Sequence, residues 1–117
     1  MKYYHNPRCS KSRQGLEILN KERIFPEIIN YINNPITFEG LKLIISKLDI
    51  VPESLIRKNE PIYKENFKNK SLSSIDCIQA MIDYPKLMER PILETDDKAI
   101  IGRPPERLLE LIKENKN

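Results

Sequence analysis

Cys9 is the residue of this sequence that is best placed for nucleophilic chemistry. It follows the turn-forming pair Asn6-Pro7 and comes just before the predicted start of a helix at Ser10. A thiol reacts as its thiolate, and the free N–H groups and positive dipole of a helix N-terminus lower a cysteine pKa. The N–H groups of residues 10–13 could also cradle an oxyanion beside the sulfur. We therefore predict a reactive Cys9 beside an anion site, rather than a buried and inert thiol.

The spacing around Cys9 excludes two common chemistries. A cysteine phosphatase loop needs an arginine where this chain has Gly15, and a C-x-x-C dithiol needs a second cysteine where it has Ser12. The other cysteine, Cys77, adjoins Ile78 on the apolar side of a predicted helix and is expected in the core, with the role of an internal resolving thiol as the alternative. A single reactive thiol must therefore obtain reducing equivalents from an external thiol.

Composition restricts the class of protein. The chain has 117 residues, of which 39% are hydrophobic and 32% charged, as in a soluble domain with one core. A net charge of +3, without basic runs interleaved with aromatics, argues against nucleic acid as a partner. No apolar run is long enough to span a membrane, and the start MKYYHNP does not resemble a signal peptide, so we expect a cytoplasmic protein with no membrane partner. One histidine and two distant cysteines predict no metal site.

Short-range patterns predict the order of helices and strands. A strand over 2–5 precedes a helix capped by Ser10 or Ser12, and a second strand covers 27–32. Four helical segments follow, beginning near Thr37, Pro52, Pro61 and Ser73, the last with a capping box to Asp76. Strands over 91–95 and 98–101 form a hairpin through Asp96-Asp97, and a final helix begins at Pro104 or Pro105.

This order predicts an α/β, thioredoxin-like fold. A β-α-β unit and a β-β-α unit share one sheet, and a helical insertion of about residues 36–85 separates them along the chain. We expect one domain over residues 1–117. The tyrosines Tyr3 and Tyr4 and the phenylalanines Phe25 and Phe38 are expected in its core.

Five segments in order resemble one protein family. HNPRCSKSR, YINNP, LIRKNEPIYKE, MERPIL and AIIGRPPERLLELI are similar, with matching intervals, to the glutaredoxin-linked arsenate reductases, the ArsC-like proteins, and to their short chromosomal relatives. The resemblance implies a thioredoxin-like fold and a Cys9 that attacks arsenate. It also implies that arginines Arg57, Arg90 and Arg103 bind the oxyanion or stabilise the thiolate.

These roles suit the residue types. A guanidinium is permanently charged and forks onto two oxygens, so it stabilises the charge that grows on arsenate. Arg90 and Arg103 each precede a proline, which restricts their backbone to extended conformations. Thioredoxin-like folds keep a cis proline at the start of this strand, so we expect Arg90-Pro91 to be cis.

Further site residues are expected beside the sulfur. By resemblance His5 lowers the pKa of the cysteine, although a histidine that merely ends a strand is the alternative. Ser10 and Ser12 are expected to bind the substrate, and Asn6 is a further hydrogen-bond partner of sulfur or oxyanion. Arg8, Lys11 and Arg13 are expected to add positive potential only.

The implied reaction reduces arsenate to arsenite. Cys9 forms a thiol–arsenate adduct, glutathione attacks it as co-substrate, and glutaredoxin reduces the mixed species; no bound cofactor is needed, and we expect a monomer. One alternative is a transcription regulator of the Spx type that docks on RNA polymerase, although many of these use the C-x-x-C switch that Ser12 removes. The other alternative is a glutathione-dependent thiol oxidoreductase with a different substrate.

Overall fold

The chain folds as two compact units. This computed structural model describes residues 1–115, with the backbone alone for residue 115. One unit joins Met1–Asn34 to the segment that begins at Arg90, and the other is Pro35–Glu89. The assignment of residues 1–117 to a single domain, with an insertion of about 36–85, stays a prediction, and its last two residues lie outside the described residues. No helix within the described part of the chain has the length and apolar character needed to cross a bilayer.

The first unit is built on one four-stranded sheet. Its strands are β1 (Lys2–His5), β2 (Glu27–Asn30), β3 (Ile92–Glu94) and β4 (Ala99–Ile101), in the spatial order β2-β1-β3-β4. β1 pairs with β2 in parallel, whereas β3 is antiparallel to both β1 and β4. Helix α1 (Ser10–Lys21) connects the parallel pair, and α5 (Leu108–Asn115) follows β4. The predicted α/β, thioredoxin-like fold is therefore confirmed.

Local signals explain how the strands end. β2 is two residues shorter than predicted because the Asn30 side chain accepts hydrogen bonds from the N–H groups of Ile32 (3.2 Å) and Asn33 (3.4 Å), which turns the chain. The β3–β4 hairpin forms as predicted: Thr95 N–H donates to the Lys98 carbonyl at 2.8 Å, with Asp96-Asp97 between them.

The core of this unit lies between one face of the sheet and two helices. It consists of fully or almost fully buried side chains from β1, β3, α1 and α5: Tyr3, Leu19, Leu93, Leu108, Leu111 and Ile112. Tyr4 is also buried, as predicted, but Phe25 is 76% exposed, so its assignment to the core was wrong. Phe25 lies in the connection between α1 and β2, where no helical or strand period fixes the direction of its side chain.

The second unit is helical. It contains α2 (Phe38–Leu48), α3 (Pro61–Asn66) and α4 (Ser74–Asp83), with short 3₁₀ turns at Pro52–Leu55 and Pro85–Leu87. Thr37 caps α2 as predicted, since its side chain accepts from Gly40 N–H at 3.0 Å. Cys77 on α4 is 1% exposed and belongs to the core, as predicted, whereas Ile75 on the same helix is 68% exposed.

Candidate active site

A tight turn places Cys9 at the start of α1. The N–H of Cys9 donates to the Asn6 carbonyl at 3.0 Å, and the Asn6 side chain accepts from Arg8 N–H at 3.1 Å. Pro7 occupies the second position of this turn, which its fixed φ favours. Cys9 is therefore the N-cap of α1, and its carbonyl accepts from Arg13 N–H at 3.1 Å. The expectation that Ser10 or Ser12 caps the helix was wrong, because the turn ends one residue earlier.

Opposing effects act on the pKa of the Cys9 thiol. Burial raises this pKa, but the N–H of Ser12, the guanidinium of Arg90 and the N–H of Lys11 lower it, and the result lies below the ordinary value. The thiol makes no full capping hydrogen bond. The two N–H groups thus act mainly as oriented dipoles near a large acceptor, as expected at a helix N-terminus. This environment favours a thiolate at position 9.

Two arginines from the C-terminal segment of the same unit, which begins at Arg90, converge on the Cys9 sulfur. Arg103 Nη2 lies 3.7 Å from Cys9 Sγ, and Arg103 Nε donates to the Arg90 carbonyl at 2.9 Å. The Arg90 guanidinium also acts on the sulfur and lowers its pKa. The Arg90-Pro91 peptide is cis, as predicted, and Arg103-Pro104 is cis as well, which we had not predicted. Both guanidinium groups can therefore face an oxyanion that reacts with Cys9.

Ser12 turns inward from the first turn of α1. Its side chain is fully buried, and Ser12 Oγ lies 2.6 Å from His5 Nδ1 and accepts from Asn6 N–H at 3.0 Å. Burial, followed by the charge of Arg13, lowers the pKa of His5, so the imidazole is mostly neutral at neutral pH. His5 thus contacts the helix start through Ser12. The roles proposed for His5 and Ser12 stay predictions.

The remaining predicted residues differ in position. Ser10 is exposed at the first position of α1 and Arg8, Lys11 and Arg13 are exposed around it. Arg57 belongs to the helical unit, where its N–H donates to the Leu87 carbonyl at 2.7 Å. Arg57 Nη2 lies 3.7 Å from Glu60 Oε1. Its buried Nη1 has no hydrogen-bond partner among the described residues, so this donor is available to a ligand.

Sequence reasoning missed a role for Tyr3. We had assigned this residue to the core alone, yet its hydroxyl donates to the Ser12 carbonyl at 2.5 Å. No pattern in the sequence indicates this contact, because it joins a strand to the following helix through the fold. Among residues 1–115 no group of three or more histidine, cysteine, aspartate or glutamate side chains could hold a metal ion; the expectation of no metal site stays a prediction.

Comparisons with known proteins agree with this geometry. Residues 4–111 match the model of the ArsC family. The chain is 46% identical over 114 residues to the Escherichia coli K12 protein named Uncharacterized protein YfgD, covering 96% of each chain. It is 40% identical over 111 residues to a Haemophilus influenzae protein named Arsenate reductase, covering 93% of this chain and 96% of the other.

A solved structure extends the comparison to three dimensions. The structure titled Arsenate reductase from Vibrio cholerae superposes with a TM-score of 0.88 at 39% identity, covering 94% of this chain and 97% of that one. The likeness therefore holds in sequence and in fold, and over nearly the whole length of both chains. This chain belongs to the ArsC family.

Proposed function

We propose that this protein is an arsenate reductase that uses glutathione and glutaredoxin as its source of electrons. The observation that carries the proposal is the convergence of Arg90, Arg103 and the α1 N-terminus on the Cys9 sulfur. Family membership supports the choice of oxyanion, because relatives from Haemophilus influenzae and Neisseria meningitidis are named Arsenate reductase. The protein is proposed to act in the cytoplasm and as a monomer.

The first step is a displacement at arsenic. The Cys9 thiolate forms an S–As bond, and one arsenate oxygen takes up protons and leaves as water, so that arsenic stays pentavalent in the adduct. Negative charge accumulates on the remaining oxygens as the bond forms. Arg90 and Arg103 stabilise that charge without rearrangement, since both already face the sulfur.

The second stage transfers two electrons to arsenic. A glutathione thiol attacks the adduct, and glutaredoxin then reduces the mixed species. The thiols of glutathione and glutaredoxin end as one mixed disulfide, and arsenic becomes trivalent while still bound to Cys9. Water then displaces the Cys9 thiolate from arsenic, so that arsenite leaves. External thiols are required because the second cysteine, Cys77, is 1% exposed and its pKa is raised, chiefly by burial.

Other residues are proposed to bind the arsenate oxygens. Arg57 is assigned this role because its buried Nη1 lacks a partner among the described residues. Ser10 is assigned a role through its place at the first turn of α1, and Ser12 through its N–H, which faces the sulfur.

A coupled assay tests the proposal. Purified protein is mixed with arsenate, glutathione, glutaredoxin, glutathione reductase and NADPH, and arsenate-dependent NADPH consumption is recorded. Cys9→Ser should abolish turnover, whereas Cys77→Ala should retain it. Arg57→Ala should raise KM for arsenate about tenfold, the equivalent of one lost charge-assisted hydrogen bond.

The same assay separates the alternatives. If the folded protein consumes no NADPH with arsenate but does so with a glutathione mixed disulfide, it is a general thiol oxidoreductase. If neither substrate is turned over and RNA polymerase is recovered with the protein, the regulator hypothesis replaces the enzyme.

A further inference from the structure

The Tyr3 hydroxyl is a polar group placed inside an apolar core. Tyr3 is fully buried against leucines of α1, β3 and α5. Its hydroxyl donates to the Ser12 carbonyl at 2.5 Å. Burial is the main cause that raises the pKa of Tyr3 far above its ordinary value, so the phenol keeps its proton and stays a donor throughout the working pH range.

Ser12 is held by three contacts through its carbonyl and its hydroxyl, and its third polar atom, the backbone nitrogen, presents its hydrogen to the sulfur. Its carbonyl accepts from Tyr3, and its hydroxyl contacts His5 Nδ1 at 2.6 Å and Asn6 N–H at 3.0 Å. Its N–H faces Cys9 Sγ, and the contact of this N–H with the sulfur is the largest single interaction that lowers the pKa of Cys9. The orientation of this N–H therefore depends on how firmly Ser12 is held against β1.

Gly15 makes room for the hydroxyl. A Cβ at this position would overlap Tyr3 Oη, and it would lie 2.9 Å from Leu108 Cδ1 and 3.3 Å from Pro91 Cγ. Glycine inside a helix is less favourable than alanine by about 1 kcal/mol. A glycine in the middle of α1 is thus explained by the close approach of Tyr3, which lets the hydroxyl reach the first turn.

We propose that Tyr3 is a positioning residue for the Cys9 site: its hydroxyl, admitted by Gly15, holds Ser12 so that the Ser12 N–H stays directed at the sulfur. Tyr3 acts through Ser12 and touches neither thiol nor substrate in this role. The inference rests on the proposed function only in taking Cys9 as the reacting thiol.

The test measures the ionisation of Cys9 directly. In a Cys77→Ala background, the rate of iodoacetamide alkylation is measured as a function of pH, so that the rate reflects the ionisation of Cys9 alone. Tyr3→Phe keeps the ring and removes the hydroxyl, and it should raise the pKa of Cys9 by about half to one unit, as expected for one lost hydrogen bond. An unchanged pKa of Cys9, even with a lower Tm, would overturn the proposal, because a purely structural hydroxyl affects stability alone.

Tyr4→Phe is the matched control. Tyr4 lies on the same strand and is also buried, but its hydroxyl donates to Glu94 Oε1 at 2.6 Å. The control should leave the pKa of Cys9 unchanged. A shift equal to that of Tyr3→Phe would mean that any loss of a buried hydroxyl from β1 affects the site, and would contradict a specific role for Tyr3.

Gly15→Ala provides a second test, and the pKa of Cys9 in this variant can be measured whether or not Tyr3→Phe folds well. Gly15→Ala should also raise the pKa of Cys9, since a Cβ displaces the Tyr3 hydroxyl. Its destabilisation should be smaller in the Tyr3→Phe background than in the natural sequence, because the overlapping oxygen is gone. Additive effects would overturn the proposed fit of Tyr3 to Gly15. None of these measurements uses arsenate, so failure of the proposed function would be seen separately in the coupled assay.

Discussion

At the scale of single residues, Cys9 shows how a thiol becomes a thiolate in a partly buried place. Burial alone would keep the sulfur protonated. The N–H groups of Ser12 and Lys11 and the Arg90 guanidinium offset this effect. Arg103 Nη2 also lies 3.7 Å from Cys9 Sγ. Preorganised donors of this kind serve both the nucleophile and the oxyanion.

The first prediction concerns Arg90. Because its guanidinium lowers the pKa of Cys9, Arg90→Ala should raise that pKa, and the fraction of thiolate at neutral pH should fall. A rise of about one unit reduces the alkylation rate roughly tenfold at pH values below the original pKa of Cys9. The pH–rate profile of iodoacetamide alkylation measures the shift.

Arg107→Ala is the control for this prediction. Arg107 is exposed and lies 3.8 Å from Glu110, with which it forms a surface ion pair of little energetic weight. Arg107→Ala should leave the pH–rate profile of Cys9 alkylation unchanged. Equal shifts for the two variants would mean that net charge, and not the placement of Arg90, controls Cys9.

At the scale of elements, local hydrogen bonds set the starts of α1, α2 and α4. α1 begins at a turn that leaves its N-cap position to a cysteine, whereas α2 and α4 begin at Thr37 and Ser73, whose hydroxyls accept from backbone N–H groups. The two conventional caps satisfy orphan donors with oxygen. Cys9 leaves the corresponding donors of α1 directed at sulfur, and thus available for chemistry.

The second prediction tests a conventional cap. Ser73 Oγ accepts from Asp76 N–H at 3.1 Å, and Asp76 Oδ2 accepts from Ser73 N–H at 3.2 Å. Ser73→Ala should lower the free energy of unfolding by about 1 kcal/mol, measured by urea denaturation. The neighbouring exposed Ser74 provides the control, since Ser74→Ala should change the free energy of unfolding by less than about 0.5 kcal/mol. If both variants behave alike, the capping box does not stabilise α4.

At the scale of the whole molecule, stability comes from burial that the linear pattern only partly reveals. Leu108 at the start of α5 is fully buried, and Gly15 and Gly102 lie against it closely enough that a Cβ at either would crowd its side chain. Phe25, a larger apolar residue of the same unit, is mostly exposed. Size and hydrophobicity alone therefore do not identify the core.

The third prediction compares these two residues. Leu108→Ala should lower the free energy of unfolding by about 2–5 kcal/mol, through lost burial and the cavity that remains. Phe25→Ala should change it by less than about 0.5 kcal/mol, because the ring is already in solvent. Urea unfolding of both variants decides the matter, and a large loss for Phe25→Ala would show that this ring is buried in solution.

The sequence alone was sufficient for features that depend on near neighbours. The turn before Cys9, the Thr37 cap, the capping box of Ser73 and Asp76, and the β3–β4 hairpin are each specified within a few residues, so they were predicted, as was the order of strands and helices. The exact ends of elements were predicted less well. The N-cap of α1 lies one residue earlier than predicted because of the turn that ends at Cys9, and β2 ends two residues earlier because the Asn30 side chain turns the chain. The cis form of Arg90-Pro91 was expected from the predicted thioredoxin-like fold, not from any local pattern.

Only the tertiary structure decided which side chains meet. Cys9 and Arg103 are 94 positions apart, and Tyr3 reaches Ser12 across a strand-to-helix packing contact. The inward direction of Ser12 and the exposure of Phe25 likewise follow from how β1, α1 and α5 pack. Periodicity and capping are short-range and can be inferred from adjacent residues, whereas these contacts arise from long-range burial, which no local pattern encodes.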